Sequence, residues 1–125
     1  MSQKKIFLGC GIFFIILAFG TFLPNSLLGS TAFFATNFLH NLIHFLIGFL
    51  VIFVFYFSYH KIEVVALGVG FFLLGLAVVG SWYVGAGRGV LCGVLLNGVG
   101  NVFNAFFGIV FVILGSMSYR LKTNV

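Results

Sequence analysis

The sequence predicts an all-α integral membrane fold: a four-helix bundle of two tandem helical hairpins, with both termini cytoplasmic. Three observations predict it. Four apolar stretches have spanning length, the basic residues gather on one side of the bilayer, and the first half of the chain is echoed in the second. Of the 125 residues, 62% are apolar and 6% are charged, against about 25% charged in a soluble domain. A short chain leaves a large share of its surface exposed and cannot hide so much apolar area from water. Lipid is therefore its main solvent, and residues 1–125 read as one transmembrane domain.

A hydrocarbon core about 30 Å thick needs roughly 20 residues at about 1.5 Å rise each. The first span covers about 5–23 and stops at Pro24-Asn25-Ser26. The second covers about 37–59, the third about 64–84 and the fourth about 98–119. In the loops, Gly85-Ala86-Gly87-Arg88-Gly89 permits a tight turn, and Arg88 is expected on lipid phosphate. Val90–Leu96 and Ala32–Phe34 are apolar, and short interfacial helices are expected there.

The formal charge is +5, from six Lys and Arg against one acid, Glu63. In this topology Lys4, Lys5, Lys61, Arg120 and Lys122 share one side and Arg88 takes the other, which places both termini inside. Tyr56, Tyr59 and Tyr119 then fall at the inner interface, with Trp82 and Tyr83 at the outer one. Basic residues at span ends explain the charge without nucleic acid, and no basic stripe with interleaved aromatics is present. Lys4-Lys5 followed by an apolar run resembles a signal peptide, but its internal counterpart makes it a span.

That counterpart is a repeat. Leu8-Gly9-Cys10-Gly11 matches Leu67-Gly68-Val69-Gly70, and Asn41-Leu42-Ile43-His44 with Gly48 matches Asn101-Val102-Phe103-Asn104 with Gly108. Two hairpins with an even number of spans each would be related by an axis along the membrane normal. Asn37, His40, Asn41, His44 and Gly48 lie on one face of the second helix, and Asn97, Asn101, Asn104 and Gly108 on one face of the fourth. A polar group facing hydrocarbon costs several kcal/mol, so both stripes must turn inward. The expectation is that the second and fourth helices are adjacent, bridged by these side chains, with Gly48 and Gly108 letting the backbones approach.

Two readings of the stripe stay open. It fixes helix register, or it lines a polar pocket in the outer half of the bilayer. In the second case His40, Asn41, His44, Asn97, Asn101 and Asn104 are the ligand-binding candidates. No metal, haem or other cofactor is expected. An i, i+4 His pair needs further ligands, and Asn104 stands where a second haem histidine would be required. No catalytic set is present either: the one acid is Glu63, and Cys10 lies far from His44. Cys10 and Cys92 fall on opposite sides and cannot pair within one chain.

At these stripes the chain resembles a bacterial family of small four-helix membrane proteins of unknown function. The resemblance rests on Asn41-x-x-His44-x-x-x-Gly48, preceded by Phe34 and Asn37-Phe38-Leu39-His40, and on Asn97, Val99, Gly100, Asn101 and Asn104. The family pattern has Asp where Gly100 stands and His where Asn104 stands. The resemblance implies the fold and a bacterial inner membrane, and no activity. The expected function is a non-catalytic structural or accessory membrane subunit. The alternative is a binder or carrier of a lipid, quinone or ion. The expected partners are membrane lipids, a second copy of the chain or a larger membrane complex.

Overall fold

The computed structural model describes residues 3–23 and 25–123, with side chains described as far as Met117. Pro24 and the side chains of Tyr119, Arg120 and Lys122 lie outside the described residues. The chain is mostly helical: α1 (Gln3–Gly20), α2 (Phe38–Phe57), α3 (Ile62–Val84) and α4 (Gly98–Thr123). All four helices are long and apolar enough to cross a membrane. A 3-10 turn at Tyr59–Lys61 joins α2 to α3. Between α1 and α2, β1 (Leu28–Gly29) pairs in parallel with β2 (Phe34–Ala35). Between α3 and α4, β3 (Arg88–Leu91) pairs antiparallel with β4 (Val94–Asn97).

α1 packs along α2 and α3 along α4, and the contact between these two hairpins is much smaller. Each pair is antiparallel. Thr21 meets Asn41 while Gly11 meets Val51 in the first hairpin, and Gly80 meets Asn101 while Gly115 meets Leu67 in the second. The loops before α2 and α4 therefore share one end of the bundle, the loop end. The Tyr59–Lys61 turn lies at the other, where Lys4 Nζ stands 3.9 Å from the centre of the Tyr59 ring.

Glycine sets the closeness inside each hairpin, and it does so twice. A methyl group on Gly48 would stand 2.7 Å from the Gly11 carbonyl oxygen and 2.9 Å from the Ile15 nitrogen. One on Gly108 would stand 3.0 Å from the Gly70 carbonyl oxygen and 2.7 Å from Leu74. Gly11 and Gly70, Ile15 and Leu74, and Gly48 and Gly108 are the positions the sequence repeat equates. Close approach was expected between α2 and α4. It occurs instead within each hairpin, because Gly48 and Gly108 face the preceding helix, where Gly11 and Gly70 leave the backbone open to them.

Burial repeats as well. Phe14 and Leu73 are equivalent and fully buried, as are Val51 and Phe111. The bulky members lie together: Phe14 contacts Phe107 at 5.3 Å and Phe111 at 6.2 Å between ring centroids, and Phe7 meets Phe111 edge-on at 6.0 Å. These rings join α1 to α4. Across the bundle, between α2 and α3, smaller residues leave an apolar groove of about 300 Å³ along Ile47, Leu50 and Gly68. Close packing of these apolar side chains holds the helices together.

The loop between α3 and α4 differs from expectation. Residues 90–96 belong to a β-hairpin, with Leu91 paired to Val94. The two turn residues Cys92 and Gly93 both have positive φ, 49° and 83°, as a type I′ hairpin turn requires. β-branched Val90 and Val94 favour the strands. Leu28–Gly29 and Phe34–Ala35 are likewise extended, so the expected interfacial helix at Ala32–Phe34 is absent.

Gly48→Ala is expected to destabilise the protein by about 1–3 kcal/mol, because the added methyl meets backbone that cannot yield. Gly68→Ala, whose methyl meets nothing within 4 Å, is expected to change stability by less than about 0.5 kcal/mol. SDS titration of both variants in mixed micelles checks this, and equal midpoints would contradict it.

Candidate functional site

Asn37 and Asn97 organise the loop end. Asn37 caps α2: its Oδ1 accepts from the His40 backbone nitrogen at 3.1 Å. Asn97 Oδ1 accepts from the Gly100 nitrogen at 2.9 Å at the start of α4. Each thus satisfies an amide that the first turn of a helix leaves unpaired. The amide nitrogens reach across. Asn37 Nδ2 donates to the Gly93 carbonyl at 2.7 Å, and Asn97 Nδ2 donates to the Phe33 carbonyl at 2.8 Å. The acceptors, like the donors, are repeat equivalents. Each hairpin therefore holds the loop of the other through the residue that caps its own helix.

Further bonds reinforce this clasp. Asn37 Oδ1 also accepts from the Leu95 nitrogen at 3.3 Å. His40 Nδ1 lies 2.6 Å from the Leu95 carbonyl oxygen. A carbonyl can only accept, so Nδ1 carries the proton. Arg88 donates from Nη1 to the Ser30 carbonyl at 2.6 Å and from Nη2 to the Ala32 carbonyl at 3.1 Å. The expected contact of Arg88 with lipid phosphate is thus replaced, for these two nitrogens, by loop backbone. The first loop presents free carbonyls within reach, and a planar guanidinium matches two of them.

The stripes were expected to bond to each other side chain to side chain; among the described residues they do not. Among the described residues, their outer members bond instead to loop backbone and to Thr21. Asn41 Nδ2 donates to Thr21 Oγ1 at 2.9 Å, within the first hairpin. Its equivalent, Asn101, packs against Gly80, the position equivalent to Thr21, and finds no hydroxyl there. The deeper members are sealed: His44 is 1% exposed, and Asn101 and Asn104 are 2% exposed. Among the described residues, neither ring nitrogen of His44, neither polar atom of the Asn101 side chain, nor Asn104 Nδ2 has a hydrogen-bond partner. The His44 ring lies 4.7 Å from that of His40, 5.3 Å from Phe14 and 6.0 Å from Phe103, between centroids.

Of the six candidates, Asn41 lines an external groove of about 180 Å³ with Ala18, Phe19, Phe38 and Phe45. A larger groove, about 640 Å³, runs along Ser81, Gly85, Gly98 and Val102 of the second hairpin beside Phe33 of the first loop. His40 and Asn97 are half of the clasp. Asn37 and Arg88, its other half, were not among the ligand-binding candidates. For Asn37 the signal was present as an Asn immediately before an apolar run, a helix-capping position. Cys10 is buried and Cys92 is exposed at the β-hairpin turn, both with free thiols.

The chain matches no protein-family model, no curated protein and no solved structure. The family resemblance therefore rests on its motifs alone.

Asn37→Ala is expected to speed hydrogen exchange at the Leu95 amide and destabilise the protein by about 1–3 kcal/mol, the sum of a lost cap and the lost bonds to Gly93 and Leu95. Asn25→Ala, whose bonds stay inside the first loop at Gly20, Leu23, Leu27 and Leu28, should leave Leu95 unchanged. Exchange mass spectrometry in detergent checks both, and unchanged Leu95 exchange in Asn37→Ala would contradict the clasp.

Proposed function

We propose that this chain is a small non-catalytic multi-pass membrane protein, a structural or accessory subunit whose partners are reached within the bilayer. The observation that carries this reading is the use made of the candidate polar residues. Those at the loop end are engaged in the clasp, and the deeper ones are sealed from the surface. The accessible surface is dominated by large apolar groups, among them Trp82, Phe38, Phe57 and Phe22. Membrane lipids, a second copy or a larger membrane complex fit such a surface, and nucleic acid does not.

Both termini are proposed to be cytoplasmic. Lys4, Lys5 and Lys61 lie at the end of the bundle opposite the loops, whereas Arg88 lies at the loop end. Placement in a bacterial inner membrane enters through the motif resemblance. The exposed thiol of Cys92 supplies a test. A membrane-impermeant maleimide should label it in intact spheroplasts, and labelling only in inverted vesicles would reverse the orientation.

A second reading, a binder or carrier of a lipid, quinone or ion, is favoured by the unpartnered atoms of His44 and Asn101. Native mass spectrometry of wild type beside His44→Ala separates the two. Bare chain masses in both support the structural subunit. An extra mass on wild type that His44→Ala abolishes supports the carrier.

A further inference from the structure

We propose that His44, Asn101 and Asn104 form a polar layer that binds internal water molecules beneath the clasp, between the two hairpins. His44 follows the cap Asn37 by seven residues and Asn104 follows the cap Asn97 by seven. At about 1.5 Å per residue both lie roughly 10 Å below the loops. The clasp fixes those two caps at one level, so the two side chains share a depth. Asn101 sits one turn above Asn104, facing Gly80.

The need for a partner survives every assignment of hydrogens. Exchanging the oxygen and nitrogen of Asn101 changes nothing, because both atoms lack a partner. Moving the proton between the nitrogens of His44 changes nothing for the same reason. The repeat locates the origin of the demand. In the first hairpin the Thr21 hydroxyl accepts from Asn41 Nδ2 and leaves only Oδ1 unpartnered, whereas in the second Gly80 offers no hydroxyl and both atoms of Asn101 are unpartnered. Leaving such groups dry in a membrane interior is costly.

Chemistry selects the ligand. The layer offers both donors and acceptors: imidazole nitrogens, a complete amide, and the Asn104 amide nitrogen. A metal ion would find no cluster of three ligating side chains among the described residues. A quinone or ester carbonyl would accept from the donors and leave the acceptors bare, and an alkyl chain would satisfy neither. Water donates and accepts, and buried water typically makes about three bonds of this kind. Exposures of 1–2% leave no room for a bulkier guest. The inference goes beyond the structural reading, which native mass tests separately.

Solid-state NMR of the full chain in lipid bilayers, with 15N-labelled His and Asn, tests it. Polarisation carried from water protons should reach the His44 ring nitrogens and the Asn101 and Asn104 side-chain amides. Exposed His60 provides the positive control. His44→Phe should reduce the water-derived Asn104 signal at least twofold. Signals at His60 with none at His44, Asn101 or Asn104 would overturn the proposal. So would cross-peaks from His44 to non-exchangeable protons of a co-purified organic molecule. The wild-type measurement stands whether or not the variant folds.

Discussion

The reciprocal bonding of Asn37 and Asn97 is the constraint on which the arrangement of this bundle depends. Each asparagine does two jobs with two atoms. Its oxygen starts a helix and its nitrogen secures the opposite loop. Helix capping and hairpin docking are thereby made a single event. A single hydrogen bond contributes only about 0.5–1.5 kcal/mol net, so no one bond could dominate. The Arg88 and His40 bonds add to the two asparagines, and the set joins the same two loops from several directions.

Below the clasp the hairpins are held differently. Within each one, glycine lets backbone approach backbone, and the contact is made of many small dispersion terms. Between them, aromatic rings on α1 and α4 fill one seam while the seam of α2 and α3 keeps a groove. The repeat is thus close in its backbone contacts and divergent in its side chains. Phe7 and Ala66 are equivalent and both buried, yet differ greatly in volume. The same divergence appears among polar residues, where Thr21 and Gly80 leave Asn41 and Asn101 in unlike surroundings.

The helices were legible because spanning length and hydropathy are strong signals, and their ends fell within a few residues of the expected positions. The repeat was legible because it pairs Asn41 with Asn101 and Gly48 with Gly108. The partners of those residues were not. Periodicity shows that Gly48 and His44 share the inward face of their helix but not which helix they meet, and the glycines met their own hairpin. The β-hairpin was missed because Cys92-Gly93 is not a usual I′ turn pair and the run around it is apolar throughout. Arg88 was misread because an isolated basic residue in a Gly-rich loop says nothing of the carbonyls that another loop brings to it.

The most direct test of the clasp is a double-mutant cycle on Asn37→Ala and Asn97→Ala, followed by reversible unfolding in mixed micelles. If each bridge holds the loops that the other needs, losing either one weakens both. The double variant should then lose less stability than the sum of the singles, by about 0.5 kcal/mol or more. Strict additivity would mean two independent helix caps and would contradict a cooperative clasp between the hairpins.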